Sequence, residues 1–132
     1  MKKFSVWNSV FFCLCFVALI VAAWTSGFAR SDGMPRGEEQ KIEALIHAVG
    51  QMHGAVFVRN GKSYDASSAV KFLRGKLDAR RDEVRSASDF IDKVASFSST
   101  TGKPYMIRYS DGREISTAGF LRAELAKIEG RQ

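Results

Sequence analysis

One stretch, Ser86 to Gly112 (SASDFIDKVASFSSTTGKPYMIRYSDG), restricts the fold more than any other part of the chain. Ser86-Ala87-Ser88-Asp89 has the form of a capping box, in which Ser86 caps a helix and Asp89, three positions on, reaches back. Phe90, Ile91, Val94 and Phe97 then recur at helical spacing and predict one apolar face. Ser98 to Lys103 is a hydroxyl-rich loop. Pro104 can open a strand, because its missing N–H is tolerated at that position. Tyr105 to Tyr109 is the strand, and Ser110-Asp111-Gly112 is a turn. A helix and a strand in so short a span make the domain mixed.

The segments on either side follow the same alternation. Glu38 to Met52 predicts a helix with Ile42, Leu45, Ile46, Val49 and Met52 on one stripe. Glu38 and Glu39 in its first turn favour the helix dipole, and Gly54 is a stop. Ala55 to Arg59 is a strand by composition. Asn60-Gly61 is a strong hairpin signal, since both residues tolerate positive φ. Lys62 to Tyr64 returns, and Asp65 or Ser67 caps a second long helix from Ala66 to about Val84. Its inner side carries Val70, Leu73, Leu77 and Val84, with Ala69 and Phe72 beside them. Its outer side carries Lys71, Arg74, Asp78, Arg81, Asp82 and Arg85. Arg113 to Ile115 returns from the second turn. Ser116 or Thr117 caps a last helix bearing Phe120, Leu121, Leu125 and Ile128.

The two hairpin-helix units echo one another. Phe57-Val58-Arg59, Asn60-Gly61, Tyr64 and Phe72-Leu73-Arg74 form one. Met106-Ile107-Arg108, Asp111-Gly112, Ile115 and Phe120-Leu121-Arg122 form the other. The echo is either pseudo-symmetry or chance among common turn residues. If it is pseudo-symmetry, the hairpins can join into one four-stranded antiparallel sheet with helices on one face.

The N-terminus predicts an address. Lys2 and Lys3 precede an apolar run from Val10 to Trp24, and Gly27 and Ala29 are small residues at the −3 and −1 positions of a cleavage site. Residues 1–29 therefore read as a signal peptide. The run is shorter than the roughly 20 residues of a spanning helix; an uncleaved inner-membrane anchor is the alternative. Residues 30–37 (RSDGMPRG) read as a flexible leader and 38–132 as a single α+β domain. Cys13 and Cys15 both fall in the signal segment, so thiol chemistry and Cys-based metal sites are excluded from the mature chain. The net charge of +6 becomes +4 without Lys2 and Lys3. With no dense basic cluster, that mild excess reads first as solubility; it also suits anionic partners such as lipid headgroups or envelope polymers, and export argues against nucleic acid.

Three segments resemble the YfeK-like family of small exported bacterial proteins of unknown function. They are Phe57-Val58-Arg59-Asn60-Gly61 with Ala69-Val70 and Leu73-Arg74-x-Lys76-Leu77; Phe90-Ile91-Asp92-Lys93-Val94-Ala95-Ser96 with Ser98-Ser99; and Thr101-Gly102-Lys103-Pro104-Tyr105. The resemblance implies export to the periplasm and no defined activity. A His often stands in that family where this chain has Phe72, and the departure argues against a shared His-centred mechanism.

Local motifs remove several chemistries. The Ser/Thr-rich loop before Gly102-Lys103 is not a Walker A loop, because Phe97 holds the required Gly position and Pro104 follows the Lys. It is not a Ser-x-x-Lys nucleophile either, since Thr100 stands where Ser is needed. Its simplest role is to satisfy the last carbonyls of the preceding helix, with its hydroxyls and Lys103. Glu39, Glu43 and His47 at four-residue steps have metal-compatible spacing, but no second ligand cluster supports a metal. The basic outer side of the second helix, with Lys71, Arg74, Arg81 and Arg85, can neutralise itself, since Asp78 lies four residues beyond Arg74.

The chain is thus expected to be an α+β domain: a small antiparallel sheet from two β-hairpins packed against about four helices, after an N-terminal signal helix. The expected function is a non-enzymatic binding module of the cell envelope in the periplasm, with no cofactor. Its partner would be an envelope protein or an anionic ligand. An enzyme on envelope polymers and a membrane-tethered assembly factor are the alternatives. The candidate surface is Ser98, Ser99, Thr101 and Lys103, with Tyr105, Arg59 and Arg108.

Overall fold

A computed structural model describes residues 33–131. The signal-peptide reading of residues 1–29 and the start of the 30–37 leader lie outside the described residues. Among those described, no helix is long and apolar enough to cross a membrane.

Helix α1, Arg36–Gly50, starts two residues earlier than its apolar stripe predicts. Pro35 stands just before it with φ −56°, and its carbonyl accepts from the Glu38 and Glu39 N–H groups at 2.9 and 3.1 Å. No side chain caps this end. The helix is held instead by Ile42, Leu45, Ile46 and Val49, all buried. Each such side chain contributes about 1.5–3 kcal/mol by leaving water, which outweighs a missing cap. The helix ends at Gly50, before Gly54; Gly54, at φ +83°, turns the chain into the sheet.

Strands β1 (Val56–Arg59) and β2 (Lys62–Tyr64) form the first hairpin, turned by Asn60 at φ 50° and Gly61 at φ 78°. Helix α2, Ala66–Ala79, is capped by Asp65, whose carboxylate accepts from the Ser68 N–H at 2.7 Å. It stops five residues short of Val84. The chain breaks into a 3₁₀ turn, Arg81–Glu83, which drops Val84 into the core from outside the helix.

The third helix departs most from an ideal α-helix. Ser86 caps a single α-turn, Ala87–Asp89, and the chain then widens into a π-helix over Phe90–Ala95; together these are α3. The Asp89 carboxylate reaches back to the Arg85 N–H at 3.0 Å, one residue beyond a standard capping box. Phe90, Ile91, Val94 and Ala95 are buried. Phe97 is not: it lies past the helix and is 41% exposed. A π-helix advances through i→i+5 pairing, so the α-spacing that placed Phe97 with Phe90 and Val94 does not hold.

Strands β3 (Met106–Arg108) and β4 (Glu114–Ser116) form the second hairpin, and Ser116 caps α4, Thr117–Glu129, through the Gly119 N–H at 3.0 Å. The hairpins join through their first strands, giving one antiparallel sheet of order β2-β1-β3-β4. The chain is therefore an α+β protein, with a sheet of two hairpins and, among the described residues, four helices. Phe57 pairs with Ile107 between the hairpins, with Tyr64 inside the first and with Ile115 through Ile107 in the second. That register relates the units by an approximate two-fold axis, with Phe57 equivalent to Ile107. The sequence echo aligned Phe57 with Met106 instead, by matching Arg59 to Arg108, residues that the register sends to opposite sheet faces.

Phe57 and Ile107 point to the side carrying the helices and join the core. The alternating residues Val56, Val58, Met106, Arg108 and Glu114 point to the other side and are half-buried or exposed. A period of two decides this split, and it places Arg108 away from Tyr105.

Candidate functional site

The site lies where the end of β1 meets the middle of α2. Arg59 shares a strand face with Phe57 and so points toward α2. Its guanidinium stacks 4.1 Å from the centre of the Phe72 ring. Phe72 in turn meets Tyr105 edge-on, with ring centres 5.5 Å apart at 90°. One turn further along α2, the Lys76 ammonium donates to the Phe97 carbonyl at 2.7 Å and to the Tyr105 hydroxyl at 3.2 Å. It also lies 5.0 Å from the Tyr105 ring centre. Arg80, one turn beyond, donates to Ser99 Oγ at 3.1 Å and to Glu83 at 3.3 Å.

This arrangement gathers positive charge. Among the described residues, neither Arg59 nor Lys76 has a carboxylate partner. Burial pushes the Lys76 pKa down to about 8, and the nearby Arg80 and Arg59 push the same way. Burial holds the Tyr105 hydroxyl above its ordinary value, opposed by the Arg59 and Arg80 charges. The Lys76 ammonium is thus partly desolvated and held by a carbonyl and a hydroxyl rather than by a carboxylate.

Beside these groups opens a cleft of about 320 Å³. Phe57, Tyr64, Phe72 and Tyr105 give it aromatic walls, and Arg59 and Thr117 bring polar atoms to it. Thr117 is 2% exposed, and among the described residues its Oγ1 has no hydrogen-bond partner. Arg59 Nε is likewise buried and unpartnered. Buried polar atoms are usually satisfied, so two orphans at one cleft are notable. The cleft falls in the size range of small-ligand sites, and no acidic side chain lines it.

The hydroxyl loop meets the site from the side. Asn60 Nδ2 donates to Ser98 Oγ at 3.2 Å, and Thr101 Oγ1 donates to Asn60 Oδ1 at 2.6 Å. The loop is closed by Ser98 N–H to the Lys103 carbonyl at 2.9 Å and by Gly102 N–H, at φ +70°, to the Ser98 carbonyl at 2.8 Å. Ser98, Ser99 and Thr101 therefore hold Arg80 and the β1–β2 turn in place. The loop was expected to satisfy the helix end through Lys103; the structure divides that work differently. Ser96 Oγ donates to the Ile91 carbonyl at 2.6 Å, and Lys76 takes the Phe97 carbonyl.

Residues 36–129 match the profile of a family described as a family of unknown function, DUF5329. The chain belongs to this family. It is also similar to the uncharacterized protein YfeK of Salmonella typhimurium, with 48% identity over 68 residues. That match covers 52% of this chain and 57% of YfeK, so the chain spans little more than half the length of that relative. No solved structure matches. The YfeK-like resemblance carried by the Phe57, Phe90 and Thr101 segments is this same relationship.

Of the residues expected at the surface of this DUF5329 chain, Arg59, Ser98, Ser99, Thr101 and Tyr105 come together, but Ser98 and Tyr105 are buried rather than exposed, because Ser98 is drawn in beneath Asn60 and Tyr105 packs against Phe72. Lys103 is exposed on the loop. Arg108 does not join them: it points to the opposite sheet face and pairs with Glu114 at 2.6 Å. The expected Arg74–Asp78 pairing is replaced by a two-pronged one to Glu43 on α1, at 2.8 and 2.7 Å. Glu43 is thereby withdrawn from His47, which meets Gln51 at 3.3 Å, while Glu39 faces Arg81 at 3.7 Å. Among the described residues, no three His, Cys, Asp or Glu gather as a metal site would require.

Sequence reasoning missed Phe72, Lys76, Arg80 and Thr117 as site residues. The signal for three of them was present. Phe72, Lys76 and Arg80 stand at four-residue steps on one α2 stripe, along the border of the apolar face. A basic residue recurring there, beside an aromatic one, marks a cation directed toward the core edge. Nothing in the local sequence set Thr117 apart from Ser116.

Proposed function

We propose that this DUF5329 protein is a non-enzymatic binding module of the cell envelope, exported by residues 1–29, with the cleft between β1 and α2 as its ligand seat. The observation that carries this reading is the cleft itself: aromatic walls beside cations that lack carboxylate partners. Its groups suit recognition. A guanidinium stacked on an aromatic ring is preorganised for binding, and the surrounding hydroxyls are already spent on positioning. The carboxylates that an acid–base mechanism would recruit beside the loop are engaged elsewhere. Asp89 pairs with Lys93, Asp92 with Arg122 and Asp111 with Arg113, each at 2.7 Å.

Native mass spectrometry of the protein recovered from the periplasm tests both halves of this reading. The expected chain begins at Arg30 and carries a non-covalent small-molecule adduct that is lost on denaturation. Ser68→Trp, an exposed position at the cleft lining, should abolish the adduct without unfolding the protein. A chain beginning at Met1, found only with membranes, would contradict the export half. A ligand-free periplasmic chain would contradict the binding half.

A further inference from the structure

The cleft also constrains what it would hold. Its volume of about 320 Å³ corresponds to about ten non-hydrogen atoms, at the roughly 30 Å³ a water occupies in the liquid. Its walls are aromatic and aliphatic, so most of the occupant is apolar. Its fixed charge is positive, so the occupant ends in an anion. Arg59 offers a planar fork, which matches a two-oxygen acceptor. Stripping water from a dianion beside so much apolar surface costs far more than stripping it from a monoanion.

We propose that the cleft binds one amphipathic carboxylate of about ten non-hydrogen atoms, its head on the Arg59 guanidinium with Lys71 also at the lining, its body against Phe57, Tyr64 and Phe72. The proposal rests on the binding-module reading and deepens it. The bound carboxylate would supply the counter-charge that Arg59 lacks.

Calorimetric titration with octanoate, 3-phenylpropanoate, 1-octanol and inorganic phosphate tests this. Octanoate stands for an acyl source and 3-phenylpropanoate for an aromatic one. At least one should bind one-to-one at pH 7, about ten-fold or more tighter than 1-octanol, with phosphate failing to bind. The better of the two names the source. Arg59→Met should remove that preference while 1-octanol binding persists, which shows that the variant still folds; Arg59→Lys should restore part of it. Binding of both carboxylates no tighter than 1-octanol overturns the proposal, as does binding of phosphate alone. Failure of both carboxylates in a protein that carries a native adduct overturns the ligand class and leaves the module reading standing. Failure of both in a protein with no adduct overturns both.

Discussion

Phe90→Ala should cost the domain about 3–5 kcal/mol, whereas Phe97→Ala should cost under about 1 kcal/mol. Phe90 is fully buried at the first residue of the π-helical segment, in the same core as Ile42, Leu45 and Ile46. Removing its ring leaves a cavity that neighbouring elements cannot close without shifting. A domain of this size has a total stability of about 5–15 kcal/mol, so the loss removes much of it. Phe97 is 41% exposed, and its ring lies 5.7 Å from the Lys76 ammonium. Urea denaturation of both variants checks the contrast. Equal losses would mean that the helix keeps α-spacing through Phe97 and that the π-segment is wrong.

Lys76→Met should make the protein more stable at pH 7, by about 1–2 kcal/mol. Lys76 releases its proton near pH 8 in the folded chain, against 10.5 in the unfolded one. Below pH 8 both states carry the charge, and the folded state bears the full cost of holding it partly out of water. Between about 8 and 10.5 the unfolded state binds more protons, so wild-type stability rises with pH. A tenfold loss of proton affinity on folding corresponds to about 1.4 kcal/mol. Solvent screening of the partly buried ammonium, and the two hydrogen bonds lost with it, keep the gain small. The Met variant should lack the rise between pH 8 and 9.5. Thermal melts of both proteins across that range measure it. A variant less stable than the wild type at pH 7 would mean that Lys76 is held for structure.

The sequence showed the local architecture well, for physical reasons that act over a few residues. Asn60-Gly61 needs positive φ at both positions, and the chain turns there. Asp65 and Ser116 cap their helices through N–H groups three residues on. Pairing of the hairpins was legible as a possibility, because a lone hairpin must bury its face against something. What stayed hidden depends on contacts between distant segments. The Arg74 guanidinium chose Glu43, 31 residues away, over Asp78 on its own helix. Arg108 and Arg59 looked alike as strand-end arginines, and only their pairing register sends them to opposite faces. Lys76 stands on the border of the apolar α2 face, and its character comes from Arg59, Arg80 and Tyr105 closing around it.

The central claim is that the Arg59–Phe72–Tyr105 cleft, and not another surface, is where this protein binds. Nuclear magnetic resonance of the labelled domain during an octanoate titration tests it most directly. The account predicts that the Arg59 side-chain Nε–H and the backbone signals of Tyr64, Phe72, Tyr105 and Thr117 shift together and saturate. Arg108 and Glu114, on the opposite sheet face, should stay where they are. Shifts centred on Arg108 and Glu114, or shifts that grow without saturating, would contradict it.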